Sequence, residues 1–427
     1  MKFVSTRGRA PAVPISEAIL HGAAPDRGLY LPAEKARLDP ASLDPALELP
    51  ALAVAMLRPF FAGDPLDNQL GDLCAEAFAH PTPLVTPDPA RPGLRALELF
   101  HGPTAAFKDY GARFLMACLN RLGDGADPLT ILVATSGDTG GAVGCAAEGR
   151  NNLRAFILYP RGRVSPFQAH QLGCWNAPVS ALEVEGDFDA CQRLVKTAFA
   201  DRDLSARHRL SSANSINIGR LLPQMVWFGQ AALRLHAETG VAPGLLVPTG
   251  NLGHGVAAFM ARALGLPIGP IVAVTNANAT LHDWSITRSY APRPSVATIA
   301  NAMDVGAPSN FERLVWLDPE ERELTVERVG DDTIRSRIRR DHQASGYVWC
   351  PHSATAAEAY HRLSDRRRTE RPWVAVATAH PYKFADIVEP LIGEDLAPPP
   401  ALAAVLEREA WAKPTAPSLE ALAEVLA

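Results

Sequence analysis

Phe107-Lys108-Asp109-Tyr110-Gly111 sets one lysine among aromatic residues, just ahead of the apolar helical run Ala112 to Leu122. An amine partly withdrawn from water there has a lowered pKa, the state that Schiff-base chemistry with a carbonyl compound needs. The plain alternative is a surface lysine at a helix start. Two glycine-containing turns could supply the anion sites that such chemistry uses. Thr249-Gly250-Asn251-Leu252-Gly253-His254-Gly255 lets backbone N–H groups approach an anion at the positive end of the following helix, and phosphate is the natural guest. Its spacing is neither a Walker loop nor G-x-G-x-x-G, which argues against ATP and dinucleotides. The second turn, Ser136 to Gly141, adds the Ser136 and Thr139 hydroxyls and the Asp138 carboxylate to its backbone donors. That set either holds a substrate carboxylate or caps a helix.

These residues need elements to position them. Leu129 to Ala134 is an apolar run of strand length that turns through residues 135–141 into the Ala-rich stretch Ala142 to Glu148, which reads as strand, loop, helix. Gly244 to Pro248, the 249–255 turn and Val256 to Leu264 repeat the pattern. Ala155 to Tyr159, Ile271 to Val274 and Trp373 to Ala377 are further buried-strand candidates. Residues 1–95 carry helical patches at Ile15 to His21 and Ala51 to Phe61 and read as mostly helical. The expected architecture is α/β with two mainly parallel-sheet lobes. Residues 96–225 form a smaller lobe with Lys108 and the Ser136–Gly141 loop, and 226–427 a larger one with the second loop. The Pro-rich stretch Ala397 to Pro400 reads as a linker to a C-terminal helix.

With 427 residues, 47% hydrophobic and 20% charged, the chain can bury apolar surface in two or three lobes. Acids and bases are interspersed at a formal net charge of -5, so there is no basic face for nucleic acid. No segment approaches the ~18 consecutive apolar residues that cross a bilayer, and Met1-Lys2-Phe3 leads into Ser5-Thr6-Arg7-Gly8 rather than a signal-peptide core. The expectation is therefore a cytoplasmic protein with no membrane partner. The six cysteines have no C-x-x-C spacing, and no His/Cys/Asp/Glu set has metal-ligand spacing, so neither a disulfide scaffold nor a metal is expected.

Read together, Leu99 to Asp109 (Leu-Phe-His-Gly-Pro-Thr-Ala-Ala-Phe-Lys-Asp), Ala134 to Gly140 (Ala-Thr-Ser-Gly-Asp-Thr-Gly) and Pro248 to Gly253 (Pro-Thr-Gly-Asn-Leu-Gly) resemble the successive signatures of the threonine synthase family. The resemblance extends to Ser5 to Gly8, Gly28 to Pro32, Ser212 to Asn217, Pro308 to Arg313 and Ala377 to Phe384, in one order along nearly the whole chain. It implies a fold-type II pyridoxal-phosphate (PLP) enzyme. Lys108 then bears the cofactor as a Schiff base and later moves protons at the substrate's Cα, Cβ and Cγ. Gly250, Asn251, Leu252 and Gly253 cradle the cofactor phosphate, His254 follows in the same loop, and Thr378 faces the pyridine nitrogen. Ser136, Asp138 and Thr139 meet the substrate carboxylate and the cofactor's 3-oxygen. For the substrate phosphate the candidates are Ser215, Asn217 and Arg220, although an arginine at 220 also suits a helix cap or a surface pair.

The implied reaction turns O-phospho-L-homoserine and water into L-threonine and phosphate by γ-elimination and β-addition. The partner would be a small phosphorylated amino acid, and the assembly a monomer or homodimer. Two stretches depart from the family pattern. Leu252 and His254 stand where a Phe and an Asp are usual, and Cys350-Pro351-His352-Ser353-Ala354 replaces Asp-Pro-His-Thr-Ala. His254 either titrates near neutrality beside phosphate or is a solvated or helix-capping residue. Two alternatives stay open: a related phospho-lyase or γ-replacement enzyme acting on another activated amino acid, and a catalytically silent PLP-fold binding module.

Overall fold

The protein is described from a computed structural model, which covers residues 1–135, 137–317 and 324–427. The strands are β1 (Phe3–Ser5), β2 (Tyr30–Pro32), β3 (Leu84–Val85), β4 (Leu94–Glu98), β5 (Leu129–Ala134), β6 (Leu153–Pro160) and β7 (Val179–Val184). They continue with β8 (Leu210–Ser212), β9 (Gly244–Pro248), β10 (Ile271–Thr275), β11 (Thr325–Arg328), β12 (Trp373–Ala377) and β13 (Lys413–Thr415). One sheet has the order β11-β10-β9-β12-β4-β3 and is parallel except for β3 against β4. A second, wholly parallel sheet has the order β13-β7-β6-β5-β8. The short β1 and β2 pair antiparallel by themselves.

Every residue of β5, β9 and β12 is buried, as expected for parallel strands covered by helices on both faces. The α/β architecture with parallel-sheet lobes is therefore as the apolar runs imply. Sheet membership, however, does not follow breaks at 95 and 225. Strand β4 pairs with β12, and β13, from the far C-terminus, pairs with β7, so each sheet takes residues from distant parts of the chain. The N-terminal helices Leu49–Phe61 and Leu70–Ala77 share the largest core with the helices Lys108–Leu122 and Gln224–Thr239. Phe61 meets Phe114 edge to face at 5.9 Å, so the helical segment backs the element that carries Lys108. Beyond the Pro-rich stretch lie two helices, Pro400–Leu406 and Leu419–Leu426, with β13 between them.

The turns following β4, β5, β8, β9 and β12 all leave the C-terminal ends of parallel strands, and these turns carry the candidate residues. Ligands of open α/β sheets bind in this kind of crevice. Among the described residues no helix is long and apolar enough to cross a membrane.

Close packing between the central strands is testable at Gly244, which lies opposite Trp373 across β9 and β12. A Cβ there would stand 2.4 Å from the Trp373 ring, which is fully buried and donates its indole N–H to Arg367 O. Gly244→Ala should therefore lower unfolding stability by about 1–3 kcal/mol. Denaturant melts of the two proteins check this.

Candidate active site

Lys108 is the first residue of the helix Lys108–Leu122, and the turn before it is built around Asp109. The Asp109 carboxylate accepts from Thr104 N at 2.9 Å and from Thr104 Oγ1 at 2.5 Å. Gly102 packs so close beneath it that a Cβ would lie 2.4 Å from Asp109 Oδ2. Ala105 takes a φ of 53°, a conformation that costs an alanine about 1–2 kcal/mol and has to be held by its surroundings. The holding bonds run to the end of β12: Phe107 N donates to Thr378 O at 2.9 Å and His380 N to Ala105 O at 3.0 Å. Thr378 N in turn donates to Ser353 Oγ at 2.9 Å, and Thr378 is 6% exposed. Burial lowers the Lys108 pKa, the charges of Arg220 and Lys383 lower it further, and Asp138 opposes them.

Asp138 opens the helix Asp138–Ala147 after β5. Its carboxylate lies 3.7 Å from Lys108 Nζ and 3.0 Å from Lys383 Nζ. Burial alone would raise its pKa, but the two lysine charges outweigh that and hold it well below the usual carboxylate range. Thr139 sits half-buried in the same first turn. Ser136 lies outside the described residues.

The turn after β9 leads into the helix Gly253–Ala263. Leu252 has a φ of 63°, and a Cβ on Gly250 would stand 2.8 Å from Met303 Cα, so backbone packs directly against this loop. Among the described residues the N–H groups of Gly250, Asn251 and Leu252 donate to no protein acceptor, and the buried Thr249 Oγ1 has no partner. Unused amides at a helix N-terminus form an anion cradle. The Asn251 side chain braces the loop instead: Nδ2 donates to Ser215 Oγ at 2.6 Å and Oδ1 accepts from Ser309 N at 2.5 Å.

Three sequence expectations change. His254 is neither solvated nor poised to titrate. It is stacked on Phe107 with ring centroids 4.6 Å apart, accepts from the Trp227 indole at 3.3 Å, and burial lowers its pKa to about 3. Its unpartnered Nδ1 therefore carries the proton of a neutral ring, with no charge to offer a phosphate. Asn217 is fully buried, with Nδ2 donating to Ile19 O and Ser212 O and Oδ1 accepting from Gly219 N, so its donors are spent on structure. Ser215 lies against the 249–253 loop through Asn251 rather than beside Asn217's contacts.

Arg220 answers the expectation differently. It is 4% exposed, Nη1 donates to Ala213 O at 2.6 Å, Nε has no partner, and no carboxylate pairs with it among the described residues. Burial lowers its pKa to about 10, so the guanidinium stays charged at neutral pH. A buried cation with free donors is a site for an anion. By contrast Arg313, equally buried, spends its donors on Tyr30 O, Ser215 O, Ile216 O and Asn310 Oδ1 and so only ties the 215–216 turn to the N-terminal segment.

Lys383 and His352 were missed. Lys383 lies in the family-like stretch Ala377 to Phe384, and its signal there was a lysine among the apolar residues Pro381 to Phe384. His352 accepts from Ala302 N at 3.0 Å, and burial lowers its pKa to about 4. Cys350 caps its helix through Sγ, with burial raising the thiol pKa, so a neutral group does a capping carboxylate's work.

A family model described as pyridoxal-phosphate dependent enzyme matches residues 76–379. It is flanked by one described as threonine synthase N terminus at 2–78 and one described as threonine synthase, C-terminal, at 353–426. Threonine synthases of Serratia marcescens and Escherichia coli are each 37% identical, over 94% of this chain and 94% of theirs. The solved Escherichia coli threonine synthase superposes with a TM-score of 0.91 at 34% identity, covering 100% of this chain and 99% of that one. The PLP-bound threonine synthase of Brucella melitensis gives the same score and identity, covering 100% and 98%. The chain belongs to the threonine synthase family. Its cofactor is pyridoxal 5′-phosphate, and the residues fit that group: a half-buried amine at Lys108, a cradle of unused donors at 249–252, and a buried hydroxyl residue, Thr378, just after β12.

The neutral His254 has a measurable consequence. With a pKa near 6.5 when unfolded and about 3 when folded, it releases its proton on folding, so stability is full above pH ~6.5 and falls as pH drops toward 3. Each such histidine adds a slope of up to ~1.4 kcal/mol per pH unit. His254→Phe keeps the ring on Phe107 and should flatten the acid limb by one proton, read from denaturant midpoints between pH 7 and pH 4.

Proposed function

We propose that this protein converts O-phospho-L-homoserine and water to L-threonine and phosphate, a carbon–oxygen lyase reaction. The observation that carries the proposal is that two sets of unused donors, on different elements, flank one half-buried amine. One is the 249–252 cradle, joined to the Lys108 turn by the Phe107–His254 stack; the other is Arg220. A phosphorylated cofactor and a phosphorylated substrate require two such places.

When bound, pyridoxal phosphate supplies an electrophilic carbon and an electron sink that acidifies substrate C–H bonds. Gly250 to Gly253 and Thr249 would hold its phosphate, Lys108 its reactive carbon and Thr378 its ring nitrogen. A neutral hydroxyl at that nitrogen does not enforce protonation, which suits elimination and replacement better than transamination. Lys108 Nζ would take the Cα proton and, once it has given that proton up and is neutral again, a Cβ proton, for which its lowered pKa prepares it. Arg220 binds the phosphate of the substrate and stabilises the charge that gathers on it as the bond to Cγ breaks. The departing phosphate assists water in adding at Cβ. Asp138, ionised and shared by two lysines, orients amines, so the substrate carboxylate falls to Ser136, Thr139 and the backbone amides of that turn. The same reading has the enzyme act in the cytoplasm, as a monomer or homodimer, on a small phosphorylated amino acid.

Lys108→Ala should abolish both the cofactor's visible absorbance and all turnover; retained turnover overturns the assignment. Arg220→Ala should weaken apparent affinity for the phosphorylated substrate at least about tenfold, ~1.4 kcal/mol. An unchanged affinity returns Arg220 to a structural role. Identifying the amino-acid product from O-phosphohomoserine, against other activated homoserines, separates this reaction from a related phospho-lyase or γ-replacement.

A further inference from the structure

Lys383 leaves the end of β12 on the six-stranded sheet, and its ammonium, 1% exposed, reaches elements of the five-stranded one. Nζ donates to Thr104 O at 2.6 Å and to Gln171 Oε1 at 2.7 Å. It also stands 3.0 Å from Asp138 Oδ1 in an ion pair. Two of its three N–H groups are thereby committed to neutral acceptors, and the third is left to the charge of Asp138. A hydrophobic side chain of similar volume would join these elements without burying a charge, so the charge itself requires an explanation. Asp138 provides one, because its other oxygen lies 3.7 Å from Lys108 Nζ.

We propose that Lys383 is a positioning residue of the reaction: it pins Asp138 so that one carboxylate oxygen faces the Lys108 nitrogen, and it supplies the fixed positive charge that offsets that carboxylate. The inference rests on Lys108 being the cofactor-bearing base. That nitrogen has to give up and regain a proton in each turnover, so its proton affinity cannot be left to a lone buried carboxylate. Asp138 alone would hold the proton on the nitrogen. Lys383 balances it without bonding to anything that reacts.

Other charged groups face this pair. Asp109 lies on the helix of Lys108, Arg220 on the helix Ile218–Leu221, His352 on the helix Pro351–Arg362, and His380 just before Lys383. His352 and His380, with pKa values lowered by burial to about 4, are neutral above pH 6, whereas burial raises Asp109 to about 6. A titration read above pH 7 therefore reports the Lys108 nitrogen with these neighbours fixed.

The test is a pH titration of the cofactor's visible absorbance in the holoenzyme, whose band position reports the proton on the nitrogen of Lys108. Lys383→Met should raise the midpoint by at least about one pH unit, a tenfold gain in proton affinity, and Asp138→Asn should lower it by a similar amount. An unmoved midpoint in a folded, cofactor-loaded Lys383→Met protein overturns the inference, because a lysine that only tied two elements together would change stability and leave this titration alone. If that variant does not fold, Asp138→Asn decides: a lowered midpoint supports the inference and an unmoved one overturns it. Absence of the absorbance in the unaltered protein would be a different result, the failure of the Lys108 reading itself, and would overturn this inference with it.

Discussion

Two lysine nitrogens share one carboxylate largely withdrawn from water, where the crevices of the two sheets meet. Burying any one of these charges alone would cost several kcal/mol, so the arrangement persists only because each partner replaces solvation that the others have lost. Lys108, Asp138 and Lys383 come from three separate turns and meet only in the folded chain. The compensation is deliberately incomplete around them. Arg220 keeps a free Nε, Thr249 a free hydroxyl, and the loop after β9 its unpaired amides, so positive potential and hydrogen-bond donors remain for anionic guests.

Backbone carries the alignment. Parallel strands bring the turns after β4, β5, β9 and β12 to one edge, and the bonds from Phe107 to Thr378 and from His380 to Ala105 stitch the Lys108 turn to β12. Two non-glycine residues with positive φ, Ala105 and Leu252, sit in the turns that present the amine and the phosphate cradle. Such conformations survive where the surroundings over-determine them. Gly250 against Met303 and Gly102 against Asp109 show that pressure directly, since neither site has room for a Cβ. The two turns also meet face to face, through Phe107 stacked on His254, so a substitution in either would be felt in the other.

Much of this was legible without coordinates. The bounds of β5, β9 and β12 coincide with the apolar runs because a strand buried on both faces has to be continuously apolar. The helix Ile15–His21 was legible for the same kind of reason. By contrast β8 and β13 span three residues each, and Lys413-Pro414-Thr415 has no apolar pattern at all; its pairing with β7 is a long-range event. Sheet membership does not follow the segment boundaries at 95 and 225, because pairing ignores chain order.

The amino-acid order by itself determined the class of fold, the family, and which turns had to carry a phosphate cradle and a reactive amine, since these depend on local patterns of apolar runs, glycines and one flanked lysine. Only the tertiary structure decided the roles inside the site. Asn217 and Arg220, three residues apart, diverge because one side chain meets two backbone carbonyls while the other keeps an unpartnered nitrogen. His254 is neutral because Phe107, Trp227 and Phe228 surround it, and Lys383 matters because Asp138 lies within 3.0 Å of it. Charge state and bonding capacity are set by neighbours in space, and a linear sequence does not state which residues those are.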